Sequence, residues 1–72
     1  MNPFAKSRIE AKISQEVAAA ALKVDRSTVA KWETGVAKPR AERLPVIAKL
    51  YHTTVETLLS DDSSLDGTEK AV

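Results

Sequence analysis

The chain has 72 residues, enough for one small domain, and a core of that size gives marginal stability unless disulfides, a metal or a second copy assists. It has no cysteine and one histidine, His52, so disulfides and thiolate metal sites are excluded and a reducing cytoplasm is expected, with no metal or other cofactor. The formal charge of +1 is unevenly spread: residues 1–59 carry ten Lys or Arg against six Asp or Glu, and residues 60–72 carry four acidic residues against one lysine.

Residues 1–60 therefore read as a basic folded domain and 61–72 as an acidic, Ser-rich flexible tail with too little apolar surface to fold alone. No apolar run approaches the roughly 18 to 20 residues that cross a bilayer, and MNPFAKSR lacks the apolar stretch of a signal peptide. No membrane association is expected.

Five short helices emerge from the spacing of apolar residues and the caps. The first runs from about Pro3 to Ala11, with Phe4, Ser7, Arg8 and Ala11 on one face. Ser14 caps a second, Gln15 to Leu22; Lys23-Val24-Asp25 breaks the chain, and Asp25 is placed to cap a third from Arg26 to about Thr34, which Gly35 stops. VAKPR reads as a loop because Pro39 biases Lys38 away from helical geometry. A fourth helix spans about Glu42 to Tyr51, with Pro45 in its first turn and Leu44, Ile47, Ala48 and Tyr51 as its buried stripe. Thr53 or Thr54 caps a last helix, Val55 to about Ser60, contributing Val55, Leu58 and Leu59. No strand pattern is visible, so the fold class is all-α.

The second and third helices, joined by a tight three-residue turn, have the pattern of a helix-turn-helix, in which the close crossing requires a small residue, here Ala19. Leu22, Val24, Val29 and Trp32 are spaced to hold this pair on the core, which leaves Arg26, Ser27, Thr28 and Lys31 facing outward. Those four occupy the first two turns of the third helix, the end of a recognition helix that reaches base edges in the major groove of double-stranded DNA.

QEVAAAALKVDRSTVAKWETG, preceded by Ile13-Ser14 and followed by KPR, resembles the Cro and phage-repressor type of helix-turn-helix, the Xre family, from about Phe4 to Leu59. The resemblance implies a five-helix lambda-repressor-like DNA-binding domain. By position it assigns base reading to Arg26, Ser27, Thr28 and Lys31, and phosphate contacts to Gln15, Thr34, Lys38 and Arg40, with Lys23 adding positive charge nearby. It also implies an ion pair between Arg8 and Glu33. Three places where the family favours glycine hold Lys12, Lys23 and His52, which implies a left-handed backbone on residues with a Cβ. Val17 and Ala18 to Ala21 depart as well, since that face of the second helix is usually charged.

Each of these residues also has a plainer reading. Arg26 and Lys31 are the kind of residue found on any solvated helix face, Ser27 and Thr28 suit helix starts, and Trp32 reads as packing. An enzyme is not expected, because the sequence shows no nucleophile with a base, paired carboxylates, Gly-rich phosphate loop or metal cluster.

The expectation is a sequence-specific transcriptional regulator in the cytoplasm, on the nucleoid when bound, and a repressor in preference to an activator. One recognition helix touches few base pairs, so a homodimer on a palindrome is expected, with half-site centres about 34 Å apart or a multiple of that. Tyr51, Val55 and Leu59 are the expected dimer surface. The alternatives are a DNA-binding antitoxin of a toxin–antitoxin pair, and an interaction module that sequesters another regulator through the alanine-rich second helix or the last helix.

Overall fold

The computed structural model describes residues 2–60, so the acidic tail lies outside the described residues. Five helices follow in order: α1 (Pro3–Glu10), α2 (Gln15–Leu22), α3 (Arg26–Thr34), α4 (Leu44–Leu50) and α5 (Val55–Leu59), with no strand among the described residues. None of these helices is long and apolar enough to cross a membrane.

Three helices begin on side-chain caps, each of which satisfies a backbone donor that has no partner within its helix. Asn2 Oδ1 accepts from Ala5 N at 3.0 Å, Ser14 Oγ from Val17 N at 3.0 Å, and Thr54 Oγ1 from Thr57 N at 3.1 Å. Asp25 occupies the cap position of α3 but forms no side-chain cap bond. Its backbone carbonyl takes the first bonds, from Thr28 N at 2.9 Å and Val29 N at 3.4 Å.

The fourth helix departs from the expected Glu42 to Tyr51. Its first turn is a 3₁₀ turn, Ala41–Arg43, and α-helix begins only at Leu44. Pro45 supplies the reason. An α-helix starting earlier would need an N–H from Pro45 to the Ala41 carbonyl, and the ring would crowd that same oxygen. Leu44 N takes the Ala41 carbonyl instead, in the tighter i to i+3 register.

Three helices end alike. Lys12, Lys23 and His52 have φ of 62°, 61° and 57°, the left-handed region implied for them. In each case the left-handed residue donates back to a carbonyl of the last turn: Lys12 to Ile9 at 2.9 Å, Lys23 to Ala20 at 3.3 Å and His52 to Lys49 at 3.2 Å. The next residue reaches one carbonyl further: Ile13 to Arg8 at 3.2 Å, Val24 to Ala19 at 3.0 Å and Thr53 to Ala48 at 2.8 Å. This is the paired closure of a Schellman motif, and it satisfies carbonyls that would otherwise end without donors.

The core gathers residues from every helix: Phe4; Ala18, Ala19 and Leu22; Val29 and Trp32; Leu44, Ile47 and Ala48, with Tyr51 just after them; and Leu58. The Phe4 and Trp32 rings meet at 6.4 Å between centroids, tilted by 47°, which ties α1 to α3. Ala19 is buried at the α2–α3 side, and Val24 packs partly buried beside it. On the expected apolar face of α2, Ala18 and Ala19 belong to the core; only Val17, Ala20 and Ala21 are exposed.

The expected dimer surface is corrected in part. Tyr51 is 2% exposed and its hydroxyl is buried, so it is a core residue with no face to offer a second chain. Val55 is partly buried against the core, and Leu59, at 62% exposed, adds nothing to it.

Candidate nucleic-acid interface

The base of this site is a cluster of polar groups that fixes α3 to the two helices before it. Arg8 Nε lies 2.6 Å from Glu33 Oε2 and Arg8 Nη2 lies 3.2 Å from Glu33 Oε1, a two-pronged ion pair from α1 to α3. Arg8 Nη1 also donates to the Ile13 carbonyl at 2.7 Å, just past the end of α1. The hydrogen bond that Arg8 donates to the Glu33 carboxylate is the main cause that raises the Arg8 pKa from its ordinary value, against the opposing effect of burial. Gln15 joins the cluster from α2, its Nε2 donating to Glu33 Oε1 at 3.0 Å. One carboxylate thus gathers side chains from α1 and α2, and it sits on the inner side of α3.

The outer side of α3 is left to solvent. At about 100° per residue, Ser27, Lys31 and Thr34 fall in one narrow arc opposite Val29 and Trp32, with Thr28 on its flank. Arg26, Ser27, Lys31 and Thr34 are exposed and Thr28 is half-buried. Arg26 lies about 80° outside this arc, on the flank opposite Thr28, and its Nη1 is 3.9 Å from Glu16 Oε2 of α2. Both side chains are largely exposed, so the pairing is weak and Arg26 is easily redirected to another acceptor. The Thr34 hydroxyl donates to the Lys31 carbonyl at 3.3 Å, which leaves its oxygen able to accept.

Beside this face runs the segment from Gly35 to Arg40. Gly35 has φ of 82°, so although a Cβ there would meet nothing within 4 Å, any other residue would be strained. The chain then turns back, with Ala37 N donating to the Lys31 carbonyl at 3.3 Å. An open cleft separates α3 from this segment. Val24, Thr28, Lys31 and Trp32 line it from the helix-turn-helix, and Ala37, Lys38, Pro39, Arg40, Glu42 and Arg43 from the segment that follows, so one carboxylate stands among its basic residues. Lys38 and Arg40 are exposed, as is Lys23 in the turn between α2 and α3. The result is a polar, basic rim around a helix whose projecting side chains are short or flexible donors. Such a surface suits phosphates at its edges and base edges at its centre.

Two supporting residues were not singled out from the sequence. Asn2, besides capping α1, donates from Nδ2 to the Trp32 carbonyl at 2.8 Å, near the end of α3. Arg43, in the 3₁₀ turn, donates from Nη1 to the Leu22 carbonyl at 3.0 Å, at the end of α2. The position of Asn2 before Pro3 signals a helix cap, but no local pattern signals its second bond or that of Arg43.

Comparison with known proteins gives the same frame. The chain is 38% identical over 50 residues to the HTH-type transcriptional activator BcrR of Enterococcus faecalis, a match covering 69% of this chain and 24% of the activator. The chain therefore spans about a quarter of the length of that relative. No solved structure matches. The family model described as helix-turn-helix matches residues 4–58, nearly all of the described fold, and the chain belongs to the helix-turn-helix family.

Proposed function

We propose that the protein is a transcriptional regulator that binds double-stranded DNA sequence-specifically, with α3 in the major groove. The observation that carries this reading is the exposed polar and basic face of α3, held from behind by the Arg8–Glu33–Gln15 cluster and flanked by Lys38 and Arg40 across a cleft. Arg26, Ser27, Thr28 and Lys31 read base edges. Lys23, Thr34, Lys38 and Arg40 grip the sugar-phosphate backbone, and Gln15 places α2 against a phosphate while its amide braces Glu33.

Selectivity then requires two copies on a palindrome, since one helix of this length spans only a few base pairs. Exposed Leu59, with Val55 beside it, is the proposed contact between copies. Repression needs only occupancy of the operator, and it is the simpler outcome for this domain. Activation, the role named for the relative, needs a further contact with the transcription machinery.

The test is selection of bound sequences from a random double-stranded DNA library near physiological salt, where phosphate binding alone is weakened. An enriched palindrome with half-sites one turn apart is the expected result. Retention without enrichment would reduce the reading to non-specific binding, and no retention would refute it.

A further inference from the structure

We infer that Arg43 is a positioning residue for the DNA interface, holding the basic segment Lys38–Arg40 at a fixed distance from the base-reading face of α3. The inference rests on the DNA-binding reading above.

Arg43 is half-buried, unlike the exposed Lys38 and Arg40, and its guanidinium is engaged within the protein. Nη1 donates at 3.0 Å to the carbonyl of Leu22, the last residue of α2. The closure of α2 uses the Ala19 and Ala20 carbonyls, so the Leu22 oxygen takes its donor from Arg43. A cation at that point also complements the negative end of the helix. Leu22 immediately precedes Lys23 and Val24, so this side chain grips the turn that sets the angle between α2 and α3.

The main chain of the same residue grips the other wall of the cleft. Arg43 N donates to the Arg40 carbonyl at 2.9 Å, closing a single 3₁₀ turn. Arg43 therefore connects the α2–α3 turn to Arg40 through one side-chain bond and one backbone bond. At its other end the segment is held by Ala37 N on the Lys31 carbonyl at 3.3 Å. Both anchors land on the helix-turn-helix itself, at Lys31 and Leu22. Losing the Arg43 side chain keeps its backbone bond to Arg40 but cuts the tie of that end of the segment to the α2–α3 turn, and Lys38 and Arg40 would then lose their register with α3.

The test uses the full chain and a DNA sequence enriched from the library. Affinity is measured across a salt series for the unaltered protein, Arg43→Met, Lys38→Ala/Arg40→Ala and the triple variant, at a temperature where circular dichroism shows all of them folded. Positioning predicts that Arg43→Met lowers the salt slope by about 1.8, the equivalent of two phosphate contacts. It also predicts that Arg43→Met lowers the slope no further once Lys38 and Arg40 are alanine. A loss of about 0.9 in both backgrounds would make Arg43 a direct phosphate ligand and overturn the inference. So would an unchanged slope with only a lower melting temperature. If Arg43→Met does not fold, Arg43→Lys is compared in the same two backgrounds by the same criterion of additivity. Salt-dependent specific binding with an unaffected slope defeats the role of Arg43 alone; absence of DNA binding by the unaltered chain defeats the DNA reading and the inference with it.

Discussion

At the scale of single residues, the interface separates into side chains that are spent inside the protein and side chains that are not. Glu33 is 7% exposed in its side chain and satisfied by Arg8 and Gln15, so it shapes the site without touching a ligand. Arg8→Met leaves the carboxylate with Gln15 as its remaining side-chain donor, and breaking a largely buried pair by removing one partner costs about 3 kcal/mol. Urea denaturation should show that loss, and a change below about 1 kcal/mol would mean the pair is solvated enough to be dispensable. Arg26 is the opposite case. Its weak link to Glu16 leaves it available, and Arg26→Ala should relax base preference at one position of each half-site, at a cost of about 1 to 3 kcal/mol on the preferred sequence. Lys38→Ala should weaken all sequences alike and reduce the salt slope by about 0.9. Binding measured on the enriched site and on single-base variants separates the two, and uniform weakening by both would defeat the assignment of Arg26 to base reading.

At the scale of elements, the helix-turn-helix was the most legible part of the chain. The limits of α2 and α3 match the expected ones: Ser14 caps α2 and Gly35 stops α3, each acting within one turn, while Asp25 holds the cap position of α3 without a side-chain cap bond. The fourth helix was misjudged by the same logic, since the effect of Pro45 falls four residues upstream and turned Ala41–Arg43 into a 3₁₀ turn. Among contacts over longer separations, the Arg8–Glu33 pair was implied by the family resemblance, and the others left no signal in the local pattern. Asn2 to Trp32 spans 30 residues and Arg43 to Leu22 spans 21, and helical periodicity reports only on neighbours one or two turns away. The left-handed closures were legible through the family resemblance, and they carry a stability prediction. His52 lies at the end of α4, away from the proposed interface, so His52→Gly should relieve about 1 kcal/mol of backbone strain, less the entropy glycine adds to the unfolded chain. Thermal unfolding should show a rise in melting temperature with DNA affinity unchanged. The same exchange at Lys23 should also stabilise the fold while weakening DNA binding, because it removes a positive charge beside α3. A fall in melting temperature in both variants would show that entropy outweighs strain at these closures.

At the scale of the whole molecule, Tyr51 joins the packing of the fold to its stability against pH. It is buried among the helices, and its hydroxyl has no hydrogen-bond partner among the described residues. Burial, together with the nearby negative charge of Glu33 and against the favourable charge of Arg8, pushes its pKa up to about 12 from the ordinary value of 10. Between those two values the unfolded chain has released the phenolic proton and the folded chain has kept it. The unfolded state binds fewer protons there, so stability falls as pH rises from about 10 to about 12, and no part of this effect is present at neutral pH. Arg8 does not offset the loss, because its own pKa lies above that window and its charge persists through it. Tyr51→Phe removes the titrating group and a buried hydroxyl with no partner, while conserving the ring that fills the core. The variant should be as stable as the parent or more so at pH 7, since no hydrogen bond is broken, and its stability should decline less between pH 10 and 12. Urea midpoints for both proteins across that range provide the comparison. Parallel declines would show that the alkaline sensitivity does not come from Tyr51, and a loss of more than about 1 kcal/mol at pH 7 would show that the hydroxyl is satisfied in solution.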